Sequence, residues 1–166
     1  MNINKTPSSV HAVSHDRPLF EHDIDAYKAE GKLAEPTVCS ECNAVFHDGR
    51  WQWMTVPAFA NREICPACHR IKDHIPAGYV TLKGPFFHDH CEELRRLIQH
   101  HAEHERNEHP LKRIIAIDNE QDAMLVTTTD THLARGIGQA LHHAYQGKLE
   151  INNVSGEGPV RVHWTR

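Results

Sequence analysis

Two short cysteine pairs constrain this chain more than any other feature. Cys39 and Cys42 stand in C-x2-C spacing, and Cys65 and Cys68 repeat it after 22 intervening residues. Such pairs bring four thiolates to the corners of a tetrahedron, each about 2.3 Å from one zinc ion. Four sulfur ligands close the coordination sphere, so the metal is structural and has no bound water to activate. One structural zinc ion is therefore expected, held by Cys39, Cys42, Cys65 and Cys68. A redox pair would need a single C-x2-C in a βαβ setting, and buried free thiols would need no spacing at all. Residues 37–80 otherwise hold too little apolar mass for a core of their own, which is the composition of a unit that needs a staple.

Pro66 follows Cys65, and Cys68-His69-Arg70-Ile71-Lys72-Asp73 reads as a helix. A second knuckle running into a helix is the treble-clef arrangement, whereas a zinc ribbon would continue as a strand. Trp51 and Trp53 lie two apart, so on a strand they share a face. Beside Arg50, Arg62, Arg70 and Lys72 they would form a platform for RNA bases, or they would pack around the zinc as its small core.

The chain divides into three stretches. Residues 1–34 are acidic and lack apolar periodicity, so a mobile arm is expected, with a short helix near Ile24–Ala29. Residues 35–84 form the zinc-knuckle domain. Residues 85–166 form an α+β domain in the order helix, hairpin, helix, hairpin. Its first helix, over 86–107, carries Phe87, Cys91, Leu94, Ile98 and Ala102 on one stripe. The hairpin Arg113–Ile117 and Met124–Thr129 turns at Asn119–Asp122. Asp130 caps a helix from Thr131 to Tyr145, where Gly136 and Gly138 permit close approach to a sheet. Lys148–Val154 and Val160–Trp164 form the last hairpin around Ser155–Gly158. The expected fold is α+β: a treble-clef or zinc-ribbon unit followed by a four-stranded antiparallel sheet with two helices on one face.

Other motifs exclude chemistry more than they suggest it. Neither a G-x-x-x-x-G-K-[ST] nor a G-x-G-x-x-G sequence is present, so no nucleotide cofactor is expected. There is no G-x-S-x-G elbow. His100, Glu103 and His104 match H-x-x-E-H, but no partner acid is evident in a second helix, and the match reads as adventitious metal binding. Cys91 lies on the apolar stripe, away from His88 and His90, so it reads as a core thiol. No apolar run is long enough to span a membrane and no signal-peptide stretch opens the chain, so a cytoplasmic protein is expected. The formal net charge of −4 excludes a strongly basic nucleic-acid coat, though not a local basic patch. Sixteen histidines stand out, and most read as polar surface residues.

Several segments resemble a family of small bacterial zinc-knuckle proteins. They are Glu35-Pro36-Thr37-Val38-Cys39, Cys65-Pro66-Ala67-Cys68-His69-Arg70-Ile71, Pro76-Ala77-Gly78-Tyr79, Gly84-Pro85-Phe86 and His109-Pro110-Leu111-Lys112-Arg113-Ile114. Ala144-Tyr145-Gln146-Gly147 and Arg161-Val162-His163-Trp164 fit the same family. More remotely, two C-x2-C knuckles followed by an α+β unit look like the N-terminal part of the nonsense-mediated-decay-three family of export adaptors for the large ribosomal subunit. That resemblance implies ribosome association.

The expectation is a non-catalytic, zinc-stabilised binding protein associated with the ribosome or RNA, acting as a translation or ribosome-state factor. Its candidate surface is Arg50, Trp51, Arg62, Arg70, Lys72, Arg161 and His163. Two alternatives stand beside it: a protein-interaction module with zinc as scaffold only, and an intracellular metal-handling protein using its histidines. Neither segment is strongly cationic. Residues 39–75 hold four basic and four acidic residues, and residues 110–166 hold six of each, so phosphate-driven binding would be patchy.

Overall fold

The computed structural model describes Tyr27 and residues 32–152 and 158–166. The acidic arm and its short helix lie outside the described residues except for Tyr27 and residues 32–34, as does the last hairpin's turn except for Gly158. No helix among the described residues is long and apolar enough to cross a membrane.

The cysteine-bearing stretch forms a small sheet followed by a helix. Strands β1 (Thr37–Cys39), β2 (Val45–His47), β3 (Arg50–Gln52) and β4 (Asn61–Glu63) lie in the order β3-β2-β1-β4. The pair β1/β4 is parallel and the others are antiparallel. Helix α1 (Pro66–Asp73) starts directly after Cys65, with proline at its first turn, where a missing N–H costs nothing.

The rest is one layer of sheet under two helices. Strand β5 (Gly78–Lys83) leads into α2 (Pro85–Glu108). The hairpin β6 (Ile114–Glu120) and β7 (Ala123–Thr128), helix α3 (Thr131–Tyr145), and strands β8 (Lys148–Asn152) and β9 (Val160–Thr165) follow. The sheet order is β6-β7-β5-β9-β8. This corrects the expected four-stranded antiparallel sheet: it has five strands and is mixed, because β5 and β9 run parallel at its centre. The added strand comes from the segment read as the end of the zinc-knuckle stretch. Its alternation is plain, with Gly78, Val80 and Leu82 buried and Tyr79, Thr81 and Lys83 turned the other way. Alternation shows that a strand exists but not which strand will pair with it.

The core lies between the sheet and the helices. Val80, Leu82, Met124, Val126, Val160, Val162 and Trp164 meet Phe87, Leu94 and Ile98 of α2 and Leu133, Ile137 and Leu141 of α3. Each fully buried aliphatic side chain here is worth about 1.5–3 kcal/mol. Cys91 packs against this core as expected. The cap of α3 is Asp130, whose Oδ1 accepts from the N–H of Leu133 at 2.8 Å. A Cβ on Gly138 would stand 2.5 Å from Cγ1 of Val162, so only glycine lets α3 lie this close to β9.

Candidate metal centre and binding surfaces

The first knuckle is the turn between β1 and β2. Cys39 donates its N–H to the carbonyl of Ala44 at 2.8 Å, and its own carbonyl accepts from the N–H of Asn43 at 3.0 Å. Asn43 takes the left-handed conformation, with φ of 64°, that so tight a reversal needs. The second knuckle is the start of α1. Cys65 is its N-cap, and its Sγ accepts from the N–H of Cys68 at 3.4 Å. A helix start favours thiolate, because free N–H groups and the helix dipole both point at the sulfur. The parallel pairing of β4 with β1 brings the knuckles together, and the N–H of Cys65 donates to Sγ of Cys39 at 3.3 Å.

The four sulfurs lie within 4.8 Å of one another. Sγ of Cys39 is 3.8 Å from that of Cys68, and Sγ of Cys42 is 3.8 Å from that of Cys65. A tetrahedron with arms of about 2.3 Å has edges of about 3.8 Å, so the sulfur spacing fits a metal of zinc's size. Sγ of Cys42 and Sγ of Cys65 are close enough to hydrogen-bond. Their hydrogen bond draws Cys42 down to about 4 and, with burial, holds Cys65 above its ordinary value. Burial also raises Cys68, against the pull of a neighbouring arginine.

That arginine is Arg113, which the candidate residues do not include. It reaches in from the start of β6 and donates from Nη2 to Sγ of Cys68 at 3.1 Å and of Cys65 at 3.4 Å. Burial works against its charge, and the bond to Cys68 together with the sulfur charges outweighs that, so its pKa is raised. Four thiolates around a divalent ion would carry a net charge of about −2, which this buried guanidinium would partly offset. Thr129 fixes the arginine's backbone: its Oγ1 accepts from the N–H of Arg113 at 2.9 Å and donates to the carbonyl of Leu111 at 2.6 Å. One signal in the sequence pointed here. Arg113 opens the apolar run Ile114–Ile117, and an arginine buried there requires a partner.

The candidate surface residues fall on separate elements. Trp51 packs, half-buried, against the cysteine cluster and lies 5.6 Å from the ring of Phe46. Trp53 does not share its strand face, because β3 ends at Gln52. Its Nε1 donates instead to the carbonyl of Arg106 at the end of α2, at 2.7 Å. Arg50 and Arg62 are exposed on the edge strands of the small sheet, and the register puts both on one face. Lys72 is exposed on α1, while Arg70 bonds the carbonyl of Ile75 at 3.1 Å and lies over the Tyr27 ring. Arg161 and His163 lie on the face of the five-stranded sheet turned away from the helices.

His100, Glu103 and His104 form no three-ligand group among the described residues. A second such group, Glu35, His47 and Asp48, has a structural role. Glu35 accepts from the N–H of Asp48 at 2.7 Å and of Gly49 at 3.2 Å, fastening the β2–β3 turn. No family model matches the chain, and no curated protein or solved structure matches it either.

Proposed function

We propose that this chain is a non-catalytic, zinc-stabilised binding protein of the cytoplasm that associates with the ribosome or its RNA. In this reading the cysteine-bearing unit is a treble clef, and its one zinc ion is a scaffold. The four-sulfur donor set supports a structural metal, because it leaves no open coordination position. One observation carries the binding role. The exposed cations Arg50, Arg62, Lys72, Lys83 and Arg161 form no ion pair among the described residues. A chain of net charge −4 that leaves these cations unneutralised keeps local positive faces for a polyanion. Sedimentation of a lysate through sucrose, with the chain blotted across the gradient, tests the reading. Comigration with ribosomal particles at low salt, lost as salt rises, is expected. A position at the top of the gradient at every salt refutes it.

A second reading, a protein-interaction module, rests on the loop of residues 53–60. Trp53, Met54, Val56 and Phe59 in this loop are four of the six exposed large apolar residues among the described residues, and Phe59 is 95% exposed. The loop carries no charged residue. An apolar patch of this kind marks a contact with protein more often than with phosphate.

A further inference from the structure

We infer that the face of the five-stranded sheet turned away from α2 and α3 binds single-stranded nucleic acid, stacking an unpaired base on the guanidinium plane of Arg161, which Tyr79 supports from behind. This deepens the RNA reading above and rests on it.

The platform follows from the register. On the face turned away from α2 and α3, Tyr79 of β5 lies level with Arg161 of β9, Thr81 with His163, and Lys83 with Thr165. The guanidinium carbon of Arg161 is 4.7 Å from the centroid of the Tyr79 ring. Tyr79 is half-buried and Arg161 is exposed. A guanidinium resting on an aromatic ring keeps its plane free for a second planar partner, while its N–H groups stay available to phosphate oxygen.

The surrounding charges select the ligand. On β8, Lys148, Glu150 and Asn152 lie opposite Thr165, His163 and Arg161. Glu150 is already matched by Lys148 at 2.9 Å. Among the described residues, the remaining carboxylates on the strands of this face, Asp118 and Glu120, lie on β6 at the far edge, beyond β7. Lys83 and Arg161 mark a stripe along the two central strands and form no ion pair among the described residues, with Asp89 and Asp122 lining a pocket beside Lys83. A polyanion fits that stripe. A planar stacking partner beside it fits a base, and only an unpaired base can reach a flat sheet. An acidic peptide would pair with the edge of the guanidinium and make no use of its stacking face.

The test uses the full-length, zinc-loaded protein and a short fluorescent RNA of mixed sequence, supplied single-stranded or as a duplex, at several salt concentrations. Co-sedimentation with purified ribosomal subunits runs in parallel. The single strand should bind more tightly than the duplex. Arg161→Lys keeps the charge and loses the plane, so it should weaken binding at least about fivefold with the salt slope unchanged. Tyr79→Leu should act in the same direction, and Tyr79→Phe should match wild type. Thermal unfolding of each variant checks that the sheet is intact. Arg161→Lys binding like wild type, or duplex binding as well as single strand, overturns the platform. So does a polyglutamate peptide competing equally against wild type and Arg161→Lys. If wild type sediments with subunits while both stacking variants are indifferent, the platform fails and the ribosome reading stands. If wild type binds neither RNA nor subunits, both fail.

Discussion

Arg113 donates from Nη2 to Sγ of Cys68 at 3.1 Å, across 45 positions of chain. The bond ties the cysteine-bearing unit to the first residues of the five-stranded sheet's outer hairpin. Its strength depends on the charge state of the sulfur: a hydrogen bond to a charged group contributes about 1.5–3 kcal/mol, roughly twice a neutral one. The Nε of the same side chain is buried without a hydrogen-bond partner among the described residues. The guanidinium is thus held by its sulfur contacts and by the local field, and this one side chain joins the cysteine cluster to the sheet.

Replacing Arg113 should therefore be felt at the metal. Arg113→Met, which keeps much of the side-chain length, should lower zinc affinity by about 10- to 100-fold, the usual cost of removing a residue that orients metal ligands. Zinc release to a colorimetric chelator measures this directly. Unchanged release would show that the guanidinium is packing alone.

The protein should carry one tightly held zinc ion per chain, measured by elemental analysis after purification without a histidine tag. Cys39→Ser or Cys65→Ser should lose the metal and unfold residues 37–75, because the binding free energy of the ion is folding free energy for that unit. Hydrogen exchange should show the five-stranded sheet largely protected in both variants. A metal-free yet fully protected small sheet would contradict the staple.

Two aromatic side chains should separate stability from binding. Trp51 packs, half-buried, against the cysteine cluster, so Trp51→Ala should lower stability by about 1–3 kcal/mol and weaken zinc retention with it. Phe59 is 95% exposed, and Phe59→Ser should stay within about 0.5 kcal/mol of wild type. Thermal melts in the presence and absence of chelator read both. A stable Trp51→Ala that keeps its zinc would show that the indole is not part of the unit's core.

His101 should make the fold acid-sensitive. It sits in the groove between α2 and α3 with Glu105, Lys112, His132, Gly136, Gln139, Ala140 and His143. Burial pushes its pKa below the ordinary 6.5; Glu105 opposes that shift, and His104, Lys112 and His100 add to it. The folded state then binds fewer protons than the unfolded chain. The stability this neutral ring contributes is intact above about pH 6.5 and is lost as pH falls through the lower folded value. His101→Gln should remove that loss, so the variant should gain on wild type between pH 6.5 and pH 5 and show no such gain at pH 7.5. Urea unfolding at the three pH values checks the sign, and parallel pH curves for the two proteins would reject it.

Much of this architecture follows from the sequence alone. The two C-x2-C pairs name the four sulfurs that cluster, since this spacing lets both cysteines of a pair point to one place from a single turn of chain. The stripe Phe87, Cys91, Leu94, Ile98 and Ala102 marks the buried face of α2, and Asp130 marks the first turn of α3. Each of these is local: period, cap or spacing is complete within a few turns of chain. What the tertiary structure decided is which distant pieces meet. Val80 and Leu82 end the stretch assigned to the zinc-knuckle domain, and only the fold makes them the centre of the larger sheet, because pairing with β9 depends on which apolar faces are left to cover once α2 and α3 have docked. Trp51 and Trp53 look equivalent two residues apart, until β3 ends between them and sends one to the cysteines and the other to Arg106. Arg113 reaches the sulfurs, and Arg161 reaches Tyr79, by the same logic. A charged side chain's partner is chosen by proximity in space, and proximity between remote residues belongs to the packed core rather than to any window of sequence.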